Sequence, residues 1–127
     1  MIAKPCPCGS QLEFDICCKP YLSLLHMAPT SEALMRSRYT AYTLHNADYI
    51  YNTTLPSERK YHNRADVLTW AKSNTWLKLE ILYASETIVE FKAFFMDETL
   101  RAEVHHERSV FVQLDGIWYF KDGIHPS

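Results

Sequence analysis

The chain has 127 residues, 47% hydrophobic and 13% aromatic, which is enough for a real core and excludes a disordered chain. Its formal charge is −2 with acids and bases interspersed, so no basic face is offered and nucleic acid is not an expected partner. No apolar run approaches the ~18 residues of a membrane helix, and Met1-Ile2-Ala3-Lys4-Pro5 lacks a leader's apolar centre, so the cytoplasm is the expected compartment.

The first eighteen residues hold every cysteine of the chain: Cys6, Cys8, Cys17 and Cys18. The spacing is Cys-x-Cys, eight residues, then an adjacent pair. Disulfides need an oxidising compartment, redox pairs are usually Cys-x-x-Cys, and iron–sulfur clusters use other spacings. One tetrahedral zinc ion held by all four thiolates is therefore the favoured reading, a closed structural site without an open position for substrate. Pro5, Pro7 and Gly9 suit a tight knuckle over residues 4–20. Such a small piece cannot fold by burial alone, and a bound metal can supply about 10 kcal/mol. Leu22, Leu24, Leu25 and Met27 are expected to pack this knuckle, residues 1–28 with its linker, onto a larger domain at 29–127. On that reading Cys6→Ser or Cys17→Ser unravels the knuckle while the larger domain still melts cooperatively.

Thr30 or Ser31 is a candidate N-cap, with Glu32 in the first turn. Leu34, Met35, Tyr39, Ala41, Tyr42 and Leu44 then keep helical spacing to about Asn46. A short helix is expected over 47–54, ended by Leu55-Pro56. A third begins after Asn63, carrying Val67, Leu68, Trp70 and Ala71 toward the core. From Trp76 the period becomes two, and Leu77, Leu79, Ile81 and Tyr83 predict a half-buried strand. A second strand spans 87–96 with Val89, Phe91, Ala93 and Phe95 on one face. Asp97-Glu98-Thr99 turns the chain into a long strand over 100–114. Asp115-Gly116 is a two-residue hairpin turn, Ile117–Lys121 is a fourth strand, and Asp122-Gly123 closes it. The fold class is α+β: three helices packed on a curved four-stranded antiparallel sheet, behind the knuckle, with a cavity between the layers.

Cys6-Pro-Cys-Gly-Ser with Cys17-Cys18 resembles the SEC-C zinc motif at the end of the bacterial SecA translocase motor. The remainder resembles the YchJ family. The matching stretches are Leu34-Met-Arg-Ser-Arg-Tyr-Thr-Ala-Tyr42, Ala47-Asp-Tyr49, Glu107-Arg-Ser109 with Phe111, Gly116-Ile-Trp-Tyr119, and Asp122-Gly123. The resemblance implies a cone-shaped, nuclear-transport-factor-2-like domain and a structural zinc, but no reaction. Longer family members repeat the zinc motif at the C-terminus, and no second copy is seen in this sequence. Between the cysteine pairs, Gln11-Leu-Glu13-Phe-Asp15 is acidic where translocase knuckles carry lysines, which weakens docking by positive charge.

In this fold the long strand is the place for a site. By pattern alone the even face, with Ala102, Val104, Val110 and Val112, is the more apolar and would be the core. With the odd face inward instead, as the family's Glu-Arg-Ser-x-Phe stretch implies, Glu103, His105 and Glu107 line one cavity wall at ~7 Å intervals. Glu107 and His105 are then the candidate acid/base pair. Arg38 is expected to reach the cavity and pair with Glu107, with Tyr42, Ser109 and Trp118 as further cavity candidates. Trp70, Trp76 and Trp118 also suit a plain core, and His26 and His62 are expected to be exposed. Adjacent His105 and His106 point opposite ways and make no metal pair. The first function expected is a non-catalytic zinc-binding adaptor for a protein partner, with a possible homodimer through the sheet. The alternative is a small-ligand-binding protein or enzyme working in the cavity. A deep pocket with Glu107, Ser109, His105 and an arginine favours the alternative; a cavity plugged by Tyr42, Trp70 and Phe91 favours the adaptor.

Overall fold

A computed structural model describes residues 4–126. Met1–Ala3, at the head of the expected knuckle segment, and Ser127, the last residue of the expected larger domain, lie outside the described residues. The knuckle begins as a short ribbon, with Cys6 N–H donating to Leu12 O at 2.9 Å and Phe14 N–H to Lys4 O at 2.9 Å. Gly9 sits at its tip with φ 79°, where a side chain is strained. A 3-10 turn, Phe14–Ile16, then leads into the short helix α1 (Lys19–Leu22).

Three capped helices follow. Thr30 is extended and its Oγ1 accepts the Ala33 N–H at 3.0 Å, which starts α2 (Ser31–Thr43). This helix ends before Asn46 because His45 is left-handed at φ 60°. Asn46 instead caps α3 (Ala47–Asn52), accepting from Tyr49 N–H at 3.0 Å. Asn63 caps α4 (Arg64–Ser73) through Asp66 N–H, also at 3.0 Å.

The sheet is β1 (Thr75–Ala84), β2 (Ile88–Met96), β3 (Ala102–Leu114) and β4 (Ile117–Ile124), in that order and antiparallel throughout. Asp115 (φ 52°) and Gly116 (φ 81°) form the tight turn that their residue types demand. β2 alternates as expected, burying Val89, Phe91, Ala93 and Phe95 toward the helices. Thr53–Leu55 runs along β4, exchanging Phe120 N–H to Thr53 O and Leu55 N–H to Phe120 O, both at 2.8 Å. That pairing covers the β4 edge, which would otherwise present open backbone groups.

Three expectations need correction. Leu77 and Tyr83 do not share an inward face with Leu79 and Ile81; they are 54% and 51% exposed. Register shifts between Trp76 and Lys78 and between Ile81 and Tyr83 turn the strand, so Trp76, Leu79 and Ile81 face inward. Second, β4 does not close at Asp122-Gly123. A shift beside Val110 carries the pairing on to Ser109–Gly123 and Arg108–Ile124. Third, of Leu22, Leu24, Leu25 and Met27 only Leu22 packs against the core, and the rest do not fasten the knuckle. Leu24 is left-handed at φ 64°, and Leu24, Leu25 and Met27 are exposed.

The fastening comes from the cysteines themselves. Cys6, Cys8 and Cys18 belong to the same buried cluster as Leu34, Tyr39, Leu79 and Phe111. Arg36 of α2 donates from Nη1 to Cys8 O at 2.8 Å while its Nε holds Glu32 at 2.9 Å. A Cβ on Gly9 would stand 3.3 Å from Leu79 O, so the knuckle tip is pressed on the β1 backbone.

Candidate functional site

Two sites emerge, and the first is the cysteine cluster. The Sγ atoms of Cys6, Cys8, Cys17 and Cys18 all lie within 4.8 Å of one another, and none is in a disulfide. Cys8 and Cys17 are 3.6 Å apart and Cys17 and Cys18 are 3.9 Å apart. A tetrahedral ion with ~2.3 Å sulfur bonds sets such edges at about 3.8 Å, so the cluster fits a metal. Its acid–base chemistry points the same way. Hydrogen bonds from Cys18 and Cys6 pull the Cys8 thiol far down. Sharing with Cys6 and Cys8, with burial added, pushes Cys18 far up, and burial pushes Cys17 up to about 11. The thiols therefore resist ionising together, and a divalent cation supplies the charge that lets all four do so. Ser10 Oγ lies 3.1 Å from Cys17 Sγ, a partner from just outside the four ligands.

The second site lies between the layers. From α2, Met35, Arg38, Tyr39 and Tyr42 follow the i, i+3, i+4, i+7 spacing and project onto one cavity. From the sheet, Phe91 and Ala93 of β2 meet His105, Glu107 and Ser109 of β3, with Phe91 opposite Glu107 and Ala93 opposite His105. The volume is about 170 Å³. Tyr42, Trp70 and Phe91 line it without filling it.

Glu107 is the centre of its polar wall. Its Oε2 accepts from Ser109 Oγ at 2.5 Å and its Oε1 from His105 Nε2 at 3.0 Å. A carboxylate only accepts, so Nε2 carries the proton of that bond. Burial would push the Glu107 carboxyl up; the His105 and Ser109 hydrogen bonds and the nearby Arg38 charge overcome this and hold it below the ordinary value. Gly123 makes the room, because a Cβ there would fall on the Glu107 carboxyl.

Arg38 is 6% exposed and lines the same cavity, yet it forms no ion pair with Glu107 among the described residues. Its Nη1 instead donates to Ile50 O at 2.9 Å, Thr53 Oγ1 at 2.7 Å and Thr54 Oγ1 at 3.4 Å. The guanidinium lies 4.5 Å over the Phe120 ring. No bond from Nε or Nη2 is made within the described residues, and no enclosed side-chain nitrogen there is left unpaired. Nε and Nη2 are therefore not fully enclosed, and Arg38 is one of the residues lining the cavity. Burial lowers the Arg38 pKa, opposed by Tyr42 and Glu107.

Two cavity candidates fall elsewhere. Glu103 shares the β3 face but is exposed, beside an open groove with Asp66 and Glu98. Trp70 lines both this groove and the cavity, its ring 5.8 Å from that of Phe95, which lines the groove alone. Trp118 is buried and lines a separate hollow of about 220 Å³ with Tyr21, Leu34 and Tyr49. His106 faces the opposite side of the sheet from His105, bonded to Glu90 at 2.8 Å beside Arg108.

His62, Gly123 and His125 were not among the candidates. His62 is half-buried on the cavity, its ring edge-on to Phe120 at 6.1 Å, rather than exposed. His125 follows β4, its ring 5.1 Å from that of His105. Counting pairs outward from the Asp115-Gly116 turn, with one residue for the bulge, places 123 beside 109 and 125 beyond 124, next to Glu107. The turn was legible in the sequence, but the bulge that shifts this count by one residue was not.

Among the described residues no helix is long and apolar enough to cross a membrane. The family model for the middle, NTF2-like domain of YchJ matches residues 30–123. A UPF0225 protein of Photorhabdus laumondii is 40% identical over 95% of this chain and 80% of its own length. One from Geobacter sulfurreducens is 42% identical over 93% and 77%. The solution structure of a SEC-C motif protein from Rhodopseudomonas palustris superposes with TM-score 0.89 at 38% identity, covering 98% of this chain and 100% of that one. A crystal structure of a SEC-C motif protein from Psychrobacter arcticus gives 0.78 at 31% identity, over 94% and 81%. With its four-cysteine knuckle set against an NTF2-like domain, the chain belongs to the YchJ (UPF0225) family of SEC-C motif proteins.

Proposed function

We propose that the protein is a small-ligand-binding protein that works through the cavity between α2 and the sheet, with the knuckle closing one end of its core around a structural zinc ion. The observation that carries the reading is the buried Arg38 with an unused donor edge, lining a volume whose other polar wall is Glu107, Ser109 and His105. Nη1 already has three acceptors, so what a ligand can add is an acceptor for Nε and Nη2. An oxygen on the ligand supplies it. About 170 Å³ is well below the ~300 Å³ at which drug-sized pockets begin. The occupant is therefore small, and the aromatic walls (Tyr42, Trp70, Trp76, Phe91, Phe120) suit a flat body. A small aromatic or unsaturated carboxylic acid satisfies all three demands. The His105–Glu107 bond holds a proton that this pair can exchange with the ligand.

Zinc is preferred for the knuckle because four thiolates in a closed tetrahedron suit it best. Unpaired thiols suit a reducing compartment, which supports the cytoplasm.

Benzoate titration followed by tryptophan fluorescence tests the cavity reading. A saturable change in the wild type, weakened at least ~10-fold (about 1.4 kcal/mol) in Arg38→Met, is expected. No saturation by ~10 mM benzoate would remove this ligand class. The adaptor reading has its own support, since Leu12, Ile16, Leu24, Leu25 and Met27 are all exposed around the knuckle. Leu77, Leu82 and Val104 are likewise exposed on the sheet, where a homodimer could form. If benzoate fails and sedimentation changes on Leu24→Asp/Leu25→Asp substitution, the adaptor reading replaces the first.

A further inference from the structure

The geometry points to a second metal site at the cavity wall, in which His105, Glu107 and His125 hold one divalent first-row transition ion. Nε or Nδ of the two imidazoles and a carboxylate oxygen of Glu107 lie within 4.8 Å of one another. Two ligands at ~2.1 Å and a right angle to each other stand about 3.0 Å apart. His105 Nε2 and Glu107 Oε1 are separated by 3.0 Å. A metal ion can take the place of the proton they now share, with neutral His105 shifting that proton to Nδ1 so that Nε2 offers its lone pair.

The outer contacts are those that metal ligands require. Ser109 occupies Glu107 Oε2 and so leaves Oε1 for the ion. His125 Nδ1 is 3.3 Å from His106 O. A carbonyl only accepts, so that contact puts the proton on Nδ1 and leaves Nε2 with its lone pair. His125 lies past the last β4 pair, Arg108–Ile124, where no strand partner holds it, so its ring can close on an ion. His105 and Glu107 both line the cavity, and any further coordination position opens into it.

The ligand set separates this site from the knuckle. Two imidazoles and one carboxylate with open positions suit iron(II), manganese(II), cobalt(II) or zinc, whereas four thiolates favour zinc in a closed shell. The knuckle is a structural metal centre; the cavity centre is one at which a ligand oxygen could bind. This inference does not rest on the small-acid reading, since the cation site can exist whether or not benzoate binds.

Cobalt(II) titration of the zinc-loaded full chain, by calorimetry and absorption, is the test. One further ion per chain is expected, without thiolate charge-transfer bands. His125→Ala changes an exposed tail residue and puts no core at risk; it should weaken cobalt binding roughly 10- to 100-fold. His106→Ala, on the opposite sheet face, should leave it unchanged while keeping the backbone carbonyl. Absent binding, binding insensitive to His125→Ala, or cobalt appearing with thiolate bands would each overturn the site. Benzoate binding measured on the same samples separates failure here from failure of the cavity reading.

Discussion

Gly123 shows how much one missing side chain can decide. Its φ lies outside the left-handed region, so the need is for space: a Cβ would meet Glu107 Cδ at 2.5 Å. The Glu107 carboxylate occupies that space while Ser109 and His105 bond to it. Gly123→Ala should therefore force Glu107 off its partners and destabilise the chain by about 1–3 kcal/mol, as overpacking does. With Glu107→Ala already in place the same change should be nearly neutral. A double-mutant cycle by chemical denaturation measures the coupling, and additive effects would show that the strand simply moves aside. In the sequence, the period of two put Glu107, His105 and Ser109 on one face of β3, but it was the resemblance to the YchJ family, not the pattern, that turned that face and Arg38 of α2 toward the cavity. The expected Arg38–Glu107 pair does not form, since Thr53 and Thr54, from beyond the end of α3, take the Arg38 Nη1 donors. Nothing in the local pattern announces a partner from another element.

At the scale of elements, local chemistry was read well wherever a cap or a turn set the boundary. Thr30, Asn46 and Asn63 each accept the N–H that a helix start leaves open. Only Asn46 was missed, because Leu44 continued the apolar spacing past the left-handed His45. α2 matters most, since it carries Arg36 to the knuckle and Met35, Arg38, Tyr39 and Tyr42 to the cavity. Thr30→Ala should cost about 1 kcal/mol, lowering the thermal midpoint by roughly 3–6 °C for a chain of this size. An unchanged midpoint in differential scanning calorimetry would mean that Ser31 or water takes over the cap. β1 was the element read least well. Its period of two is broken by two register shifts, and a bulge leaves no mark on hydrophobic alternation when the inserted residues, Leu77 and Leu82, are themselves apolar.

For the whole molecule, the question is whether the knuckle is an appendage or part of the core. The sequence favours an appendage, because the cysteines are confined to the first eighteen residues and a run of linker leucines follows. The packing argues for integration. Cys8 and Cys18 are 0% and 1% exposed, less than most residues of the larger domain. Cys6 Sγ lies 3.8 Å from Thr40 Oγ1 inside α2, and Arg36 binds the Cys8 carbonyl. Burial and the Cys8 charge even push the Tyr39 phenol up to about 12, a sign of how close the thiolates stand to the helix. Without a metal the four thiols resist ionising together, and if the knuckle opens it uncovers Leu34, Tyr39 and Leu79. We expect chelation under reducing conditions to lower the midpoint of a single unfolding transition by more than ~10 °C, a loss of about 3 kcal/mol. Cys8→Ser should do the same without a chelator, whereas Cys17→Ser, the half-exposed ligand, should do less. Calorimetry of the zinc-loaded and chelated chain distinguishes the two architectures. A shifted single peak means that the metal holds the common core, while an unmoved main peak beside a lost minor one would mean that the knuckle folds apart from a domain that does not need it.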